Sequence, residues 1–264
     1  MPEGHSVQRI ANELNKLFKG KPVQVDSPQG RFTSEAKLIS GEKILRVRAI
    51  GKQLFIDFEN KLTCRVHLGI YGKWRFVSKD KEDALTGAVR VRFYDSENIA
   101  DLRGPTVCEV IDTSSVKLIE RRLGPDPTNP DLKKTQLAKF VDRVMSSKSP
   151  IGLLLMNQDV ISGIGNVYRA EILFRAGISP HVLGNQLTNE QVIALWDDSV
   201  KLMKVGVRTG FMITREELLT KKPKKVDRNY VYKREGLGCL RCSGTVVIEL
   251  MAARKLYWCP GCQR

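Results

Sequence analysis

Apolar residues at Val7, Ile10, Ala11, Leu14, Leu17 and Phe18 recur at spacings of three and four. That period predicts an amphipathic helix with one buried face. Gly20 closes the pattern as a residue suited to a left-handed C-terminal cap. The helix therefore begins within a residue or two of Pro2. The period then changes to two. Arg46-Val47-Arg48-Ala49-Ile50 and Val89-Arg90-Val91-Arg92-Phe93 alternate, and strand-like runs fall at 22–25, 44–50, 53–58, 62–68, 73–77 and 89–94. Turn residues such as Glu59-Asn60 separate them, with no helical pattern between. Short strands at close spacing predict an antiparallel sandwich or barrel, with the first helix packed against it.

From Asp112 the helical period returns. Helices are expected at 115–122, at 131–146 (apolar set Leu132, Leu137, Phe140, Val141 and Val144) and at 149–156. Gly163-Ile164-Gly165-Asn166 opens another that runs to about Arg175, and Thr188-Asn189-Glu190-Gln191 is a capping box for a long helix through Val205. The Pro- and Gly-rich stretch from Leu123 to Pro130 is the best domain boundary. The fold class is α+β: an N-terminal antiparallel β-sandwich with a flanking helix, then a helical domain, then a C-terminal β-hairpin.

The chain has 264 residues, and its 42% hydrophobic content suffices to bury a core. No apolar run approaches the roughly 20 residues of a membrane span. The N-terminus reads as an amphipathic helix rather than a signal peptide, so a cytoplasmic protein is expected. The formal net charge is +15, which makes nucleic acid the leading partner. A membrane surface would call for a basic amphipathic helix or a lipidation signal, and neither is present. The run Lys221-Lys222-Pro223-Lys224-Lys225 reads as a basic, flexible loop, either solvated or touching nucleic acid.

Four of the six cysteines form the pairs Cys239-x2-Cys242 and Cys259-x2-Cys262. Four thiolates at two short spacings satisfy tetrahedral Zn²⁺ with no open position, so one structural zinc ion is expected. The segment between them reads as a β-hairpin with Arg254 at or near its tip. Cys64 and Cys108 are expected to be inert core thiols.

Three further stretches carry candidate chemistry. Removal of Met1 would leave Pro2 with a free secondary amine, able to attack an aldehyde and form an iminium, with the carboxyl of Glu3 beside it. The competing reading is a proline that merely starts a helix. Lys52, in Gly51-Lys52-Gln53, is either a solvated charge or a cation set beside Glu3 or a phosphate. Gly165 and Asn166 can present N–H groups to a phosphate. The stretch does not meet the dinucleotide fingerprint, because no strand precedes it and the third glycine is missing.

Taken together, these motifs resemble the formamidopyrimidine-DNA glycosylase / endonuclease VIII family over essentially the whole chain. Pro2-Glu3-Gly4 matches the family's amino-terminal nucleophile, Gly51-Lys52 its catalytic lysine and Gly163-Ile164-Gly165-Asn166 its helix–two-turn–helix. The cysteines with Arg254, and the ending Tyr257-Trp258-Cys259-Pro260-Gly261-Cys262-Gln263, match its zinc finger. The resemblance implies a β-sandwich catalytic domain at 1–122, a linker at 123–130, a helix–two-turn–helix DNA-binding domain at 131–234 and a zinc finger at 235–264. It implies Pro2 as Schiff-base nucleophile and Glu3 as the acid of sugar-ring opening. Lys52 and Arg254 would serve β- and δ-elimination, and Asn166 and Arg122 would hold phosphates. His67-Leu68-Gly69-Ile70-Tyr71-Gly72 resembles the wedge loop, with Ile70 and Tyr71 as void fillers, or alternatively with Tyr71 as a core strand residue.

The chain departs from the family pattern twice. A second Pro-Glu often follows Pro-Glu-x, and here His5-Ser6 stands there, so a carboxylate is missing. The arginine–phenylalanine wedge of the oxidised-purine branch appears as Asp101-Leu102-Arg103-Gly104-Pro105, with Arg103 as candidate base contact and no aromatic. With Ile70-Tyr71 and the C-terminal ending, this favours endonuclease VIII and oxidised pyrimidines. The expected partner is damaged DNA, bound by a monomer without a small-molecule cofactor. The alternatives are an oxidised-purine glycosylase, an inactive damage-binding protein on the same fold, and a zinc-ribbon module of transcription or translation.

Overall fold

The alternating runs pair into two four-stranded antiparallel sheets. The computed structural model describes residues 2–84, 87–129 and 134–264, with the side chain of residue 134 left aside. The chain divides into two units, Met1–Arg122 and Leu123–Arg264.

The first unit runs α1 (Gly4–Phe18), β1 (Gln24–Asp26), α2 (Thr33–Ile39), β2 (Ile44–Ile50), β3 (Gln53–Phe58), β4 (Leu62–His67), β5 (Lys73–Ser78), β6 (Val89–Tyr94), β7 (Asn98–Arg103), β8 (Val107–Asp112) and α3 (Thr113–Arg122). One sheet has the order β1-β6-β7-β5 and the other β2-β3-β4-β8. Val7, Ala11, Leu14 and Phe18 of α1 join Val47, Leu54, Ile56, Val91 and Phe93 of the sheets in one core. β2 is an edge strand whose Val47 would leave a backbone pair unmet. Asn15 of α1 supplies both partners: its Nδ2 donates to Val47 O at 2.6 Å and its Oδ1 accepts from Val47 N at 2.8 Å. The helix is thus fixed to the sheet by polar as well as apolar contacts, which sets the position of its N-terminus.

The second unit runs α4 (Lys134–Met145), α5 (Ile151–Leu154), α6 (Asn166–Ala176), α7 (Asn189–Thr209), β9 (Val247–Met251) and β10 (Arg254–Trp258). α4, α6 and α7 share a core that includes Phe140, Tyr168, Ile172, Trp196 and Leu202. α7 carries the expected capping box, with Thr188 Oγ1 accepting from Gln191 N and Gln191 Oε1 accepting from Thr188 N. Residues 124–127 are buried, and Ser162 N donates to Pro125 O at 2.9 Å, so this Pro-rich stretch is built into the second unit.

The α+β architecture is the expected one, with local differences. β7 and β8 have no alternating pattern to betray them, because four successive residues of β7 are buried and β8 is half-buried along most of its length. α2 buries only Ala36 and Ile39, too few positions to show a period. α5 is shorter than expected and α7 extends to Thr209. The expected helix start at 131, with Leu132, lies outside the described residues. The loop that holds the lysine run at 221–225 is tied at two carbonyls, with Arg208 donating to Leu219 O and Arg228 to Pro223 O. Among the described residues no helix is long and apolar enough to cross a membrane.

Candidate active site and nucleic-acid interface

In the first unit, Glu3 is the N-cap of α1, with extended backbone (φ −120°, ψ 174°) and no exposed surface. Pro2, half-buried, precedes it directly. The N-terminal end of a helix favours a carboxylate and disfavours a protonated amine. No acidic residue stands in the first turn of α1, so Glu3 is the one carboxylate of this opening. His5 is buried, with Nε2 at 3.1 Å from Ser6 Oγ. Burial, aided by the Arg9 cation, pushes its pKa down to about 4, so the imidazole is neutral.

Lys52 sits in the two-residue turn of the β2–β3 hairpin, where Ile50 pairs with Gln53. Gly51 takes φ +57° there, the conformation the first central position of such a turn demands. Across the sheet Gln53 pairs with His67. Burial, then the Lys52 and Arg65 cations, hold His67 below its ordinary pKa.

The stretch after His67 is a tight loop. A Cβ on Gly69 would meet Thr106 Oγ1 at 1.8 Å, and one on Gly72 would meet Leu68 O at 2.4 Å. Thr106 N donates to His67 O at 2.9 Å. The loop is thereby pressed against the turn at 104–106, and its tip is left in solvent. Ile70 is 63% and Tyr71 79% exposed, so Tyr71 is not a core strand residue. Arg103, at the end of β7, lies beside this pair of turns. Its neighbour Asp101 is fully buried and engaged by Arg92 at 2.7 and 3.0 Å. Arg103 Nη2 stands 3.7 Å from Asp101, and its Nε and Nη2 make no hydrogen bond. Arg122 closes α3 and is exposed. Of the two other cysteines, Cys64 is buried and Cys108 is half-buried against the same core.

In the second unit, Gly165 is the N-cap of α6 and Asn166 its first residue. Asn166 Nδ2 donates to Lys255 O at 2.8 Å. Arg169, one turn on and fully buried, donates to both Asn166 Oδ1 and Lys255 O. Arg254 opens β10 opposite Met251, across a tip formed by Ala252 and Ala253, both at positive φ. The structure therefore brings the start of α6 and the hairpin tip together, with Arg254 exposed.

The four sulfur atoms of Cys239, Cys242, Cys259 and Cys262 lie within 4.8 Å of one another. Arg241 N donates to Cys239 Sγ at 3.4 Å and Gly244 N to Cys242 Sγ at 3.3 Å. A Cβ at Gly261 would sit 3.0 Å from Cys242 Sγ and crowd that sulfur. Convergent soft donors with backbone N–H groups aimed at them suit a thiolate-bound metal ion.

Three side chains that the sequence reading did not single out set this ribbon on α6. The buried Glu171 carboxylate accepts from Tyr230 N, Val231 N and Tyr232 N at 2.7–2.8 Å and from Thr214 Oγ1 at 2.5 Å. Arg241, within the first Cys pair, donates to Phe174 O and Arg175 O at 3.2 Å and lies 4.8 Å over the rings of Phe174 and Tyr230. Gln263 Nε2 donates to Ile178 O at 3.0 Å. The signal available beforehand was Arg169 and Glu171 inside an otherwise apolar helix, since buried ionisable groups require partners.

The formamidopyrimidine-DNA glycosylase N-terminal domain matches residues 1–106, and the formamidopyrimidine-DNA glycosylase H2TH domain matches residues 123–217. Endonuclease 8 1 of Mycobacterium tuberculosis (strain H37Rv) is 41% identical over 274 residues, covering all of both chains. Endonuclease 8 of Escherichia coli (strain 55989) is 29% identical over 268 residues, again covering all of both. Among solved structures, Lactococcus lactis Fpg in complex with abasic-site DNA superposes with a TM-score of 0.81 at 23% identity, covering 99% of each chain. MutM in complex with DNA containing carbocyclic 8-oxo-G gives 0.82 at 24%, covering all of each. The same fold and whole-length relatedness lead to one assignment: the chain belongs to the formamidopyrimidine-DNA glycosylase / endonuclease VIII family, on its endonuclease VIII branch, and is a DNA-repair glycosylase with AP lyase activity.

Proposed function

We propose that this enzyme excises oxidised bases, pyrimidines by preference, through a Schiff base on Pro2, and then cuts the strand by β,δ-elimination. Once Met1 is gone, the Pro2 nitrogen attacks C1′ of the damaged nucleotide and the base leaves. Glu3 donates a proton to the sugar-ring oxygen, the ring opens, and a C1′ iminium results. The iminium acidifies the C2′–H. Loss of that proton expels the 3′ phosphate, and a second elimination expels the 5′ phosphate. Lys52 and Arg254 hold phosphates and move protons in these steps. The observation that carries this reading is Pro2 directly before a wholly buried Glu3 at the cap of α1.

The target must leave the base stack first. Ile70 and Tyr71 fill the gap, as apolar wedges do, and Arg103 offers its N–H donors to a base. Asn166 and Arg122 hold phosphates. Cys239, Cys242, Cys259 and Cys262 hold one structural Zn²⁺, which shapes the hairpin and takes no part in the chemistry. The catalytic domain is 1–122, joined through 123–130 to the DNA-binding domain at 131–234 and the zinc finger at 235–264. The enzyme works as a monomer on cytoplasmic DNA.

The test is borohydride trapping on abasic DNA with two proteins, one with Pro2 free and one with a single residue left before it. An amide nitrogen cannot form an iminium, so only the first should yield an adduct, while both bind DNA. Equal trapping by the blocked protein would move the nucleophile to an internal lysine, Lys52 first.

A further inference from the structure

Residues 218–228 lie beyond the H2TH match, which ends at 217. They belong to a loop closed on itself: Thr214 N and Arg215 N donate to Arg228 O at 2.9 and 3.3 Å. Arg228 Nε reaches Pro223 O at 3.3 Å, its guanidinium lies 3.9 Å over the Phe211 ring, and Arg208 donates to Leu219 O at 2.9 Å. The acidic residues at its start, Glu216 and Glu217, are exposed but paired. Glu216 pairs with Arg175 at 2.6 Å and with Lys201, and Glu217 pairs with Arg215 at 2.6 Å and accepts from Tyr230 Oη at 3.1 Å. Lys221, Lys222, Lys224 and Lys225 face outward. All four are exposed, and among the described residues none of them forms an ion pair. With Glu216 and Glu217 paired, Asp227 is the loop's one carboxylate without an ion pair among the described residues, against four exposed ammonium groups.

We infer that Lys221, Lys222, Lys224 and Lys225 form a second, preformed phosphate-binding station that grips the DNA duplex on the flank of the lesion. It rests on the reading of this chain as a DNA-binding lyase. The loop is tied to Arg175, nine residues along α6 from Asn166, which is about 14 Å of helix. It therefore serves phosphates other than those held at the start of α6. A polyanion is favoured over a protein partner because protein interfaces are depleted in lysine and built around apolar anchors. Val226 is the only large apolar residue of the 220–227 stretch that is exposed. Prior anchoring means that little chain entropy is lost when the phosphates arrive.

The experiment uses the full chain with Pro2 free, the variant K221Q/K222Q/K224Q/K225Q and the matching quadruple arginine variant. Affinity is measured against salt on a long duplex with a non-cleavable abasic analogue, and on a duplex trimmed to the immediate flanks of the lesion. On the long duplex the glutamine variant should show a log–log salt slope shallower by about 0.9 for each phosphate that is no longer neutralised, up to roughly 3.6. The arginine variant should keep the wild-type slope, and the difference should vanish on the trimmed duplex. At saturating DNA the glutamine variant should trap with borohydride as fully as wild type. Unchanged slope and affinity on the long duplex would overturn the inference, including the case in which the variant loses only an acidic protein partner. Failure of wild type to trap would instead count against the Pro2 reading and leave the slope comparison valid.

Discussion

Ser6 stands where the family often places a carboxylate, and the neighbouring His5 is kept neutral by burial. Its folded pKa, about 4, lies below the ordinary 6.5, so between these values the unfolded chain binds more protons. Stability from this residue is complete above pH 6.5 and is lost as pH falls toward 4, by up to about 3 kcal/mol. Urea unfolding at a series of pH values should show that slope, and His5→Gln should flatten it. Because the opening turn then has only Glu3 as an acid, Glu3→Gln should block base excision more than cleavage of a preformed abasic site, where no base has to leave. Arg103 belongs to this scale as well. With no aromatic beside it, excision of thymine glycol or 5-hydroxyuracil should exceed that of 8-oxoguanine in the same sequence context, and the reverse ranking would place the enzyme with the purine-excising members.

At the scale of elements, α6 carries two fully buried ionisable groups, Arg169 and Glu171. Replacing Glu171 with Ala would leave three backbone N–H groups without their acceptor, while the Thr214 hydroxyl could still turn to Arg228 O or Asn229 Oδ1. That should cost about 3 kcal/mol or more in denaturant unfolding. Cys259→Ser should unfold the hairpin and weaken DNA binding, and metal analysis of the wild type should find about one Zn²⁺ per chain. A metal-free protein with full activity would contradict this. The elements that were legible beforehand are those with a clean period or a spacing rule: α1, the alternating strands β2 and β6, the capped α7 and the Cys pairs. β7 and β8 were not, because burial on both faces or on neither erases alternation. The residues Pro2, Glu3, Lys52, Asn166 and Arg254 could be named because each sits in a short motif. Arg169, Glu171 and Arg241 could not, since their roles depend on partners far away in sequence, such as Arg169 with Lys255 O.

For the whole molecule the governing quantity is the net charge of +15. Binding to duplex DNA should weaken steeply with salt, and a flat dependence would argue against phosphate contact as its main source. Arg122 and Asn166 lie one in each unit. If both hold phosphates, Arg122→Ala and Asn166→Ala should each lower affinity for damaged and undamaged DNA alike, because phosphate contacts carry no sequence or lesion information. Neither should alter the trapped fraction at saturation.

The burial of α6 also governs how the second unit can open. Every residue from 167 to 174 is shut off from solvent, including Arg169 and Glu171. Such a helix cannot fray turn by turn, since each turn would strand a charge or an aromatic ring. Its amide protons should exchange only when the second unit opens as a whole, with protection close to the global unfolding free energy. The 220–227 loop, held from its ends and open to water along its crest, should exchange within the same molecule orders of magnitude sooner. The slowest amides would then mark the part of the second unit that cannot yield without global unfolding.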